Sequence, residues 1–196
     1  GLFSVSSADL PLWHAALVWA PALLTGLAAV RAWAVAKAGT GAGAGAGAPW
    51  RVARAASVMA LVAAALGLLA VVLGYEGAGY GARADRVGAL VLLLVAFVGW
   101  VIVRYSQTYL QGEPREAHYV RWLLATLATV LVVVATDHLL VLALAWTATS
   151  LTLHHLLTFF GDRPAAVVAA HKKFIVARLA DVCMWTAAVL LWTAYG

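Results

Sequence analysis

The chain has 196 residues, of which 65% are hydrophobic and 11% charged, against roughly 25% charge in soluble domains; its mean hydropathy is +0.94. This excludes a soluble globule and predicts an all-α polytopic membrane protein. The net charge of +5 comes from basic residues scattered singly between apolar stretches, so it reads as membrane orientation and not as a nucleic-acid surface, and the one cysteine, Cys183, excludes a disulfide framework or a cysteine-built metal site within this chain.

A spanning helix needs about 20 mostly apolar residues, and six stretches qualify: Leu10 to Ala36, Ala55 to Gly74, Val87 to Val103, Tyr119 to Thr136, Leu139 to Phe160 and Ala165 to Tyr195. The organisation expected is a first span over 1–36, a linker over 37–54 and a five-span helical region over 55–196. The linker centres on the alternating Gly/Ala tract Gly39 to Ala48, whose low complexity predicts a flexible surface segment. The last stretch exceeds what a bilayer requires, so its first turns, through Lys172 and Lys173, are expected at the interface or inside protein. No basic run precedes the first span, so a cleavable signal peptide is not expected, and a start at Gly1 reads as an incomplete or processed end.

Lys and Arg set the orientation. Arg31, Lys37, Arg51 and Arg54 flank the first connection, Arg104, Arg115 and Arg121 the third, and Arg163, Lys172 and Lys173 lie in or just after the fifth; the opposite side has Arg83 and Arg86. The positive-inside rule then puts the odd connections in the cytoplasm and both ends of the chain outside. Trp13, Trp100, Trp122 and Trp192 fall near span ends, as interfacial indoles do. His14 is expected at the interface too. Asp137, just ahead of Leu139, reads as a cap for the fifth span.

The last two spans carry polar stripes. Thr147, Ser150, His154 and Thr158 share one narrow face of the fifth at 3.6 residues per turn, with His155 at its border. In the sixth, His171, Arg178, Asp181 and Trp185 obey the same rule, and Arg178 and Asp181 can pair at i, i+3. Depth arithmetic at 1.5 Å per residue puts His154 about 9 Å from the Phe160 end and Asp181 about 10 Å beyond Phe174. A short Gly161-Asp162-Arg163-Pro164 turn would bring these groups together, predicting a membrane-embedded His154/Asp181/Arg178 cluster.

Such a cluster suits proton transfer. Imidazole titrates near neutral pH, a buried carboxylate is tunable by desolvation, and Arg178 would set the charge state of Asp181. Thr147 and Ser150 would extend a wet path, with His171 at its mouth. The alternative is a static Arg178–Asp181 pair that pins helices; for His155 a helix-joining hydrogen bond is favoured. Haem or metal ligation by His138, His154 or His171 lacks a ligand pair at matched spacing, so no metal or cofactor is expected. Arg163, Lys172 and Lys173 fit either a cytoplasmic docking patch or interface anchors. No nucleophile, metal set or phosphate loop supports an enzyme.

The run Thr136-Asp137-His138-Leu139-Leu140 leading to Ala145-Trp146, then Asp162-Arg163-Pro164-Ala165-Ala166, Lys172, Phe174, Arg178 and Asp181, resembles the antiporter-like membrane subunits of respiratory complex I and of cation/proton antiporters. Arg83-Ala84-Asp85, Tyr105-Ser106, Tyr109 and Gly112 fit the same pattern, so the resemblance covers roughly residues 83–196. Within that superfamily, Leu153 to Phe159 and His171 to Phe174 look most like the membrane subunit of DAB inorganic-carbon accumulation complexes. The resemblance implies an inner-membrane subunit of an energy-coupled carbon dioxide or bicarbonate uptake system, conducting protons or sodium ions. It also implies a large cytoplasmic-side zinc protein partner with a carbonic-anhydrase-like site.

Two departures matter. Complex I subunits of this type place a glutamate directly after the tryptophan that matches Trp146, and here that position is Thr147. The usual Glu–Lys pair is thus missing, which favours the carbon-uptake branch, with His154 and Asp181 as replacements. Family members also have many more spans, so the chain is expected to be the N-terminal part of such a fold. The alternatives are an antiporter-like subunit of NADH-quinone oxidoreductase or of a cation/proton antiporter, and a structural docking subunit with no ion path of its own.

Overall fold

The structure, a computed structural model, describes residues 10–38, 47–110, 113, 115–159 and 164–195. Among these residues there are six helices long and apolar enough to cross a membrane: α1 (Leu12–Ala38), α2 (Ala48–Val72), α3 (Arg86–Tyr109), α4 (Glu116–Ala135), α5 (Leu139–Leu157) and α6 (Pro164–Tyr195). The all-helical reading holds, with one local exception between α2 and α3.

That exception is a hairpin of β1 (Gly77–Gly79) and β2 (Ala82–Ala84), antiparallel with Gly77 opposite Ala84. Its two-residue turn has positive φ at both Tyr80 (54°) and Gly81 (70°), the backbone that matches the twist of paired strands. The hairpin is laced to the turn between α4 and α5: Ala82 bridges to Thr136, and the Asp137 N–H donates to the Gly81 carbonyl at 3.2 Å. The Trp19 indole donates to the Tyr80 carbonyl at 3.2 Å, so α1 is tied in as well.

The expected linker over 37–54 is shorter at its far end, because α2 starts at Ala48 with Pro49 in its first turn and carries Arg51 and Arg54. Proline is suited to that place, since its missing N–H is unneeded there. The rest of the Gly/Ala tract, Gly39 to Ala46, lies outside the described residues, as do Gly112, Pro114 and the Gly161 to Arg163 part of the last turn. Asp137 does not cap α5. His138 holds the cap position without a side-chain bond, and its N–H donates to Thr136 Oγ1 at 3.2 Å. Asp85, by contrast, caps α3 by accepting from the Gly88 N–H at 2.8 Å.

Helices α1 to α4 form the packed body, with α1 central against α2 and α4, and α3 against α2. Alanines line these contacts: Ala15, Ala22, Ala64, Ala89, Ala96 and Ala135 sit in the core at the hairpin end, and Ala28, Ala32, Ala53 and Ala56 in the core at the other. Small residues let helices approach closely in lipid, where association rests on van der Waals contact. One close approach is at Gly99 on α3, where a Cβ would lie 2.6 Å from a Leu127 methyl on α4. At the end away from the hairpin, Trp50 donates to Glu116 at 3.1 Å and Ser106 shares a 3.2 Å hydrogen bond with the Tyr119 hydroxyl.

Helix α5 packs on α4, and α6 mainly on α5. Of the apolar window within Val167–Ala194, 11% is buried inside the structure, against 44% for Leu12–Ala34. The polar stripes therefore lie on the flank of the body.

Candidate functional site between α5 and α6

The two stripes face each other in part. The Trp185 indole on α6 donates to Thr147 Oγ1 on α5 at 3.1 Å. Nearer the end that bears Arg31, Arg51 and Arg54, the His154 ring lies edge-on to His171, with centroids 5.6 Å apart, and 4.6 Å from the Phe174 ring. Lys173 Nζ reaches the Ser150 carbonyl at 3.5 Å, the outer limit of a hydrogen bond. His171 Nδ1 bonds the Val167 carbonyl at 2.8 Å, so its neutral ring carries the proton on Nδ1 and presents Nε2 as an acceptor.

Arg178 and Asp181 do pair, at 2.6 Å between Nη2 and Oδ2, and the Asp181 side chain is 7% exposed. The Arg178 guanidinium also lies over the Phe174 ring at 5.0 Å. The pair is close but poorly angled: neither carboxylate oxygen makes a hydrogen bond, nor do Arg178 Nε, Arg178 Nη2, Ser150 Oγ or His154 Nδ1, all of them buried. Unbonded buried polar atoms cost free energy, most of all in hydrocarbon.

The predicted three-residue cluster is divided in two. His154 belongs with His171, Phe174 and Lys173, whereas Asp181 belongs with Arg178, seven residues beyond Phe174 and so about 10 Å further along α6. Among the described residues His154 and Asp181 do not touch, and Phe174 contacts both groups. Lys173, expected as an anchor or docking residue, turns toward α5, while Lys172 is exposed. Arg163 lies outside the described residues. The Phe174 contacts were not foreseen; an aromatic one turn after His171 and one turn before Arg178 was the available signal.

Other histidines find structural places. His155 stacks on Trp122 of α4 at 4.1 Å instead of forming the expected helix-joining hydrogen bond. His138 packs against Trp192 at 5.9 Å, holding α5 to the far end of α6. His14 lies in the first turn of α1 and is covered by protein. It is fully buried between α1 and α2, lines a cavity of about 10 Å³ with Gly67, Val71 and Arg83, and has the Gly67 backbone within reach of its ring.

Comparison with known proteins agrees with this architecture. A family described as NADH-ubiquinone oxidoreductase (complex I), chain 5 N-terminus, matches residues 77–120, and one described as NADH:quinone oxidoreductase/Mrp antiporter, TM, matches residues 136–196. The chain is 41% identical over 155 residues to the probable inorganic carbon transporter subunit DabB of Hydrogenovibrio crunogenus, an alignment that covers 76% of this chain and 30% of that protein. It is 43% identical over 118 residues to the probable inorganic carbon transporter subunit DabB2 of Halothiobacillus neapolitanus, covering 59% and 21%. It is 29% identical over 118 residues to NADH-quinone oxidoreductase subunit L of Escherichia coli, covering 60% and 19%. The chain thus spans less than a third of the length of the curated relatives it matches. With two consecutive family matches covering the hairpin, α3, α5 and α6, the chain belongs to the antiporter-like membrane-subunit family of NADH:quinone oxidoreductases and Mrp antiporters, and within it is similar to inorganic carbon transporter subunits.

Proposed function

We propose that this chain is part of the ion-conducting membrane subunit of an energy-coupled inorganic-carbon uptake complex, moving protons or sodium ions. The observation that carries this reading is the 41% identity to a protein named a probable inorganic carbon transporter subunit. The α5–α6 seam supplies the chemistry. His154 and His171, two imidazoles whose rings meet near the more basic end, exchange protons with the cytoplasm. Asp181 is the deeper station, and transfer to it requires its pairing with Arg178 to open. Phe174 separates the two stations, so transfer requires its ring to move or the seam to hydrate. Thr147 and Ser150 provide hydroxyls along the way.

On this reading the subunit lies in a bacterial inner membrane with its N-terminal side outside, following the distribution of Lys and Arg. Its partner is a large cytoplasmic-side zinc protein with a carbonic-anhydrase-like site, docked near Lys172, Lys173 and Arg163. Carbon chemistry belongs to that partner, and this chain is not itself an enzyme. The test is Asp181→Asn in cells that depend on inorganic-carbon uptake: uptake is lost while the membrane level of the protein is unchanged. Full uptake by that variant overturns the relay.

A second reading, a subunit of a respiratory or antiporter complex, is favoured by the 29% identity to NADH-quinone oxidoreductase subunit L. Affinity purification separates the two. A zinc protein in the complex supports carbon uptake, and quinone-linked subunits support the second reading.

A further inference from the structure

Away from the α5–α6 seam, a groove of about 1200 Å³ runs between α1 and α2 and is open on its outer side. One end is ringed by Arg31, Arg51 and Arg54, and Leu24, Leu27 and Met59 line it further in. The three arginines come from helix ends that meet at the same level, Arg31 seven residues before the end of α1 and Arg54 six residues after the start of α2. Leu24 lies about 10 Å deeper than Arg31 along α1, at 1.5 Å per residue. The groove is therefore cationic at the membrane surface and apolar toward the interior.

Its charge is uncompensated within these helices. From Leu10 to Tyr75 the sequence contains no Asp or Glu, and among the described residues Arg31, Arg51 and Arg54 form no ion pair. At the hairpin end, by contrast, Arg86 is matched by Glu76 at 2.8 Å and Arg83 by Asp85 at 4.0 Å. Three unmatched guanidiniums beside an apolar trough are costly to keep near hydrocarbon unless an anion joins them. Guanidinium is the side chain best shaped for phosphate oxygens. The volume exceeds the ~300–1,000 Å³ of pockets for drug-sized ligands, and the trough is open on its outer side.

We propose that this groove is a binding site for one acidic phospholipid, its phosphate held by Arg31, Arg51 and Arg54 and one acyl chain laid along Leu24, Leu27 and Met59. Basic pockets between spanning helices recognise anionic headgroups in this way. The lipid acts as a wedge that joins α1 to α2 where the first connection leaves the membrane. The site does not depend on the ion path assigned to α5 and α6.

The test uses the purified membrane complex containing the full subunit, stripped in detergent and titrated with phosphatidylglycerol or phosphatidylcholine in mixed micelles, with bound lipid counted by native mass spectrometry. Wild type retains phosphatidylglycerol in preference to phosphatidylcholine. The triple variant Arg31→Gln, Arg51→Gln, Arg54→Gln loses that preference, by about fivefold per arginine and roughly a hundredfold in all. Ala55→Trp, which fills the groove and keeps every charge, loses it too. Arg83→Gln with Arg86→Gln, at the opposite end, retains it. Undiminished binding in Ala55→Trp, or an equal loss in the Arg83/Arg86 variant, would mean attraction to general surface charge and overturns the site.

Discussion

Arg178 and Asp181 are joined at 2.6 Å one turn apart on α6, yet the carboxylate they share the charge with accepts no hydrogen bond from any described residue. The Asp181 carboxylate, 7% exposed, depends on its cation more than the 31% exposed Arg178 depends on its anion. Removing the cation alone leaves a bare buried carboxylate, at a cost of about 3–5 kcal/mol. Arg178→Ala should therefore lower the thermal midpoint of the purified protein sharply, whereas Arg178→Met with Asp181→Leu should recover most of it. If the double variant is folded and uptake is lost, the pair serves transport; if uptake is retained, it serves only packing.

The Trp185–Thr147 hydrogen bond is a direct polar tie between α5 and α6. Hydrogen bonds between spanning helices contribute about 0.6 kcal/mol on average. A double-mutant cycle of Trp185→Phe and Thr147→Val should give a coupling energy of that order in a reversible unfolding assay in micelles. A coupling of zero would mean that the two side chains do not meet in the membrane.

At Gly99 the predicted cost comes from overpacking. A methyl group there would lie 2.6 Å from a Leu127 methyl, so Gly99→Ala should destabilise by about 1–3 kcal/mol. Adding Leu127→Ala makes room for that methyl and should relieve the strain. Thermal unfolding of the two variants measures both effects, and an unchanged midpoint for Gly99→Ala would show that α3 and α4 stand further apart.

At His14 the cost comes from a lost partner. It is fully buried, the Gly67 backbone lies within reach of its ring, and the cavity of about 10 Å³ beside it is at the lower limit for one water molecule. Leaving a buried backbone group without its partner costs about 1–3 kcal/mol. His14→Leu should lower the thermal midpoint. An unchanged or raised midpoint would show that the imidazole has no partner in the native protein.

The helices and the polar faces were legible because they depend on local rules. Six apolar runs of bilayer length predicted six spans, and a 3.6-residue period put Thr147, Ser150 and His154 on one face. The start of α2 was missed because Arg51 and Arg54 lower its hydropathy, although Pro49 marks a first helical turn. The hairpin was missed because its strands, Gly77–Gly79 and Ala82–Ala84, lack the β-branched and aromatic residues that signal a strand. The link from His154 to Asp181 failed for a different reason. Depths measured from each helix's own end fix neither the offset between α5 and α6 nor the side chains that fill it, and Phe174 was treated only as a marker of depth. The burial of His14 was not legible because position in a span says nothing about which neighbour covers it.

The small buried share of α6 has a mechanical consequence. Four alanine-lined helices act as a footing, and the polar seam runs along their rim, with α6 as its outer wall. A force applied to the exposed side of α6 bears on the seam without first disturbing the packing of α1 to α4. On the function proposed above, the aperture for ions and the lever that would work it are the same helix.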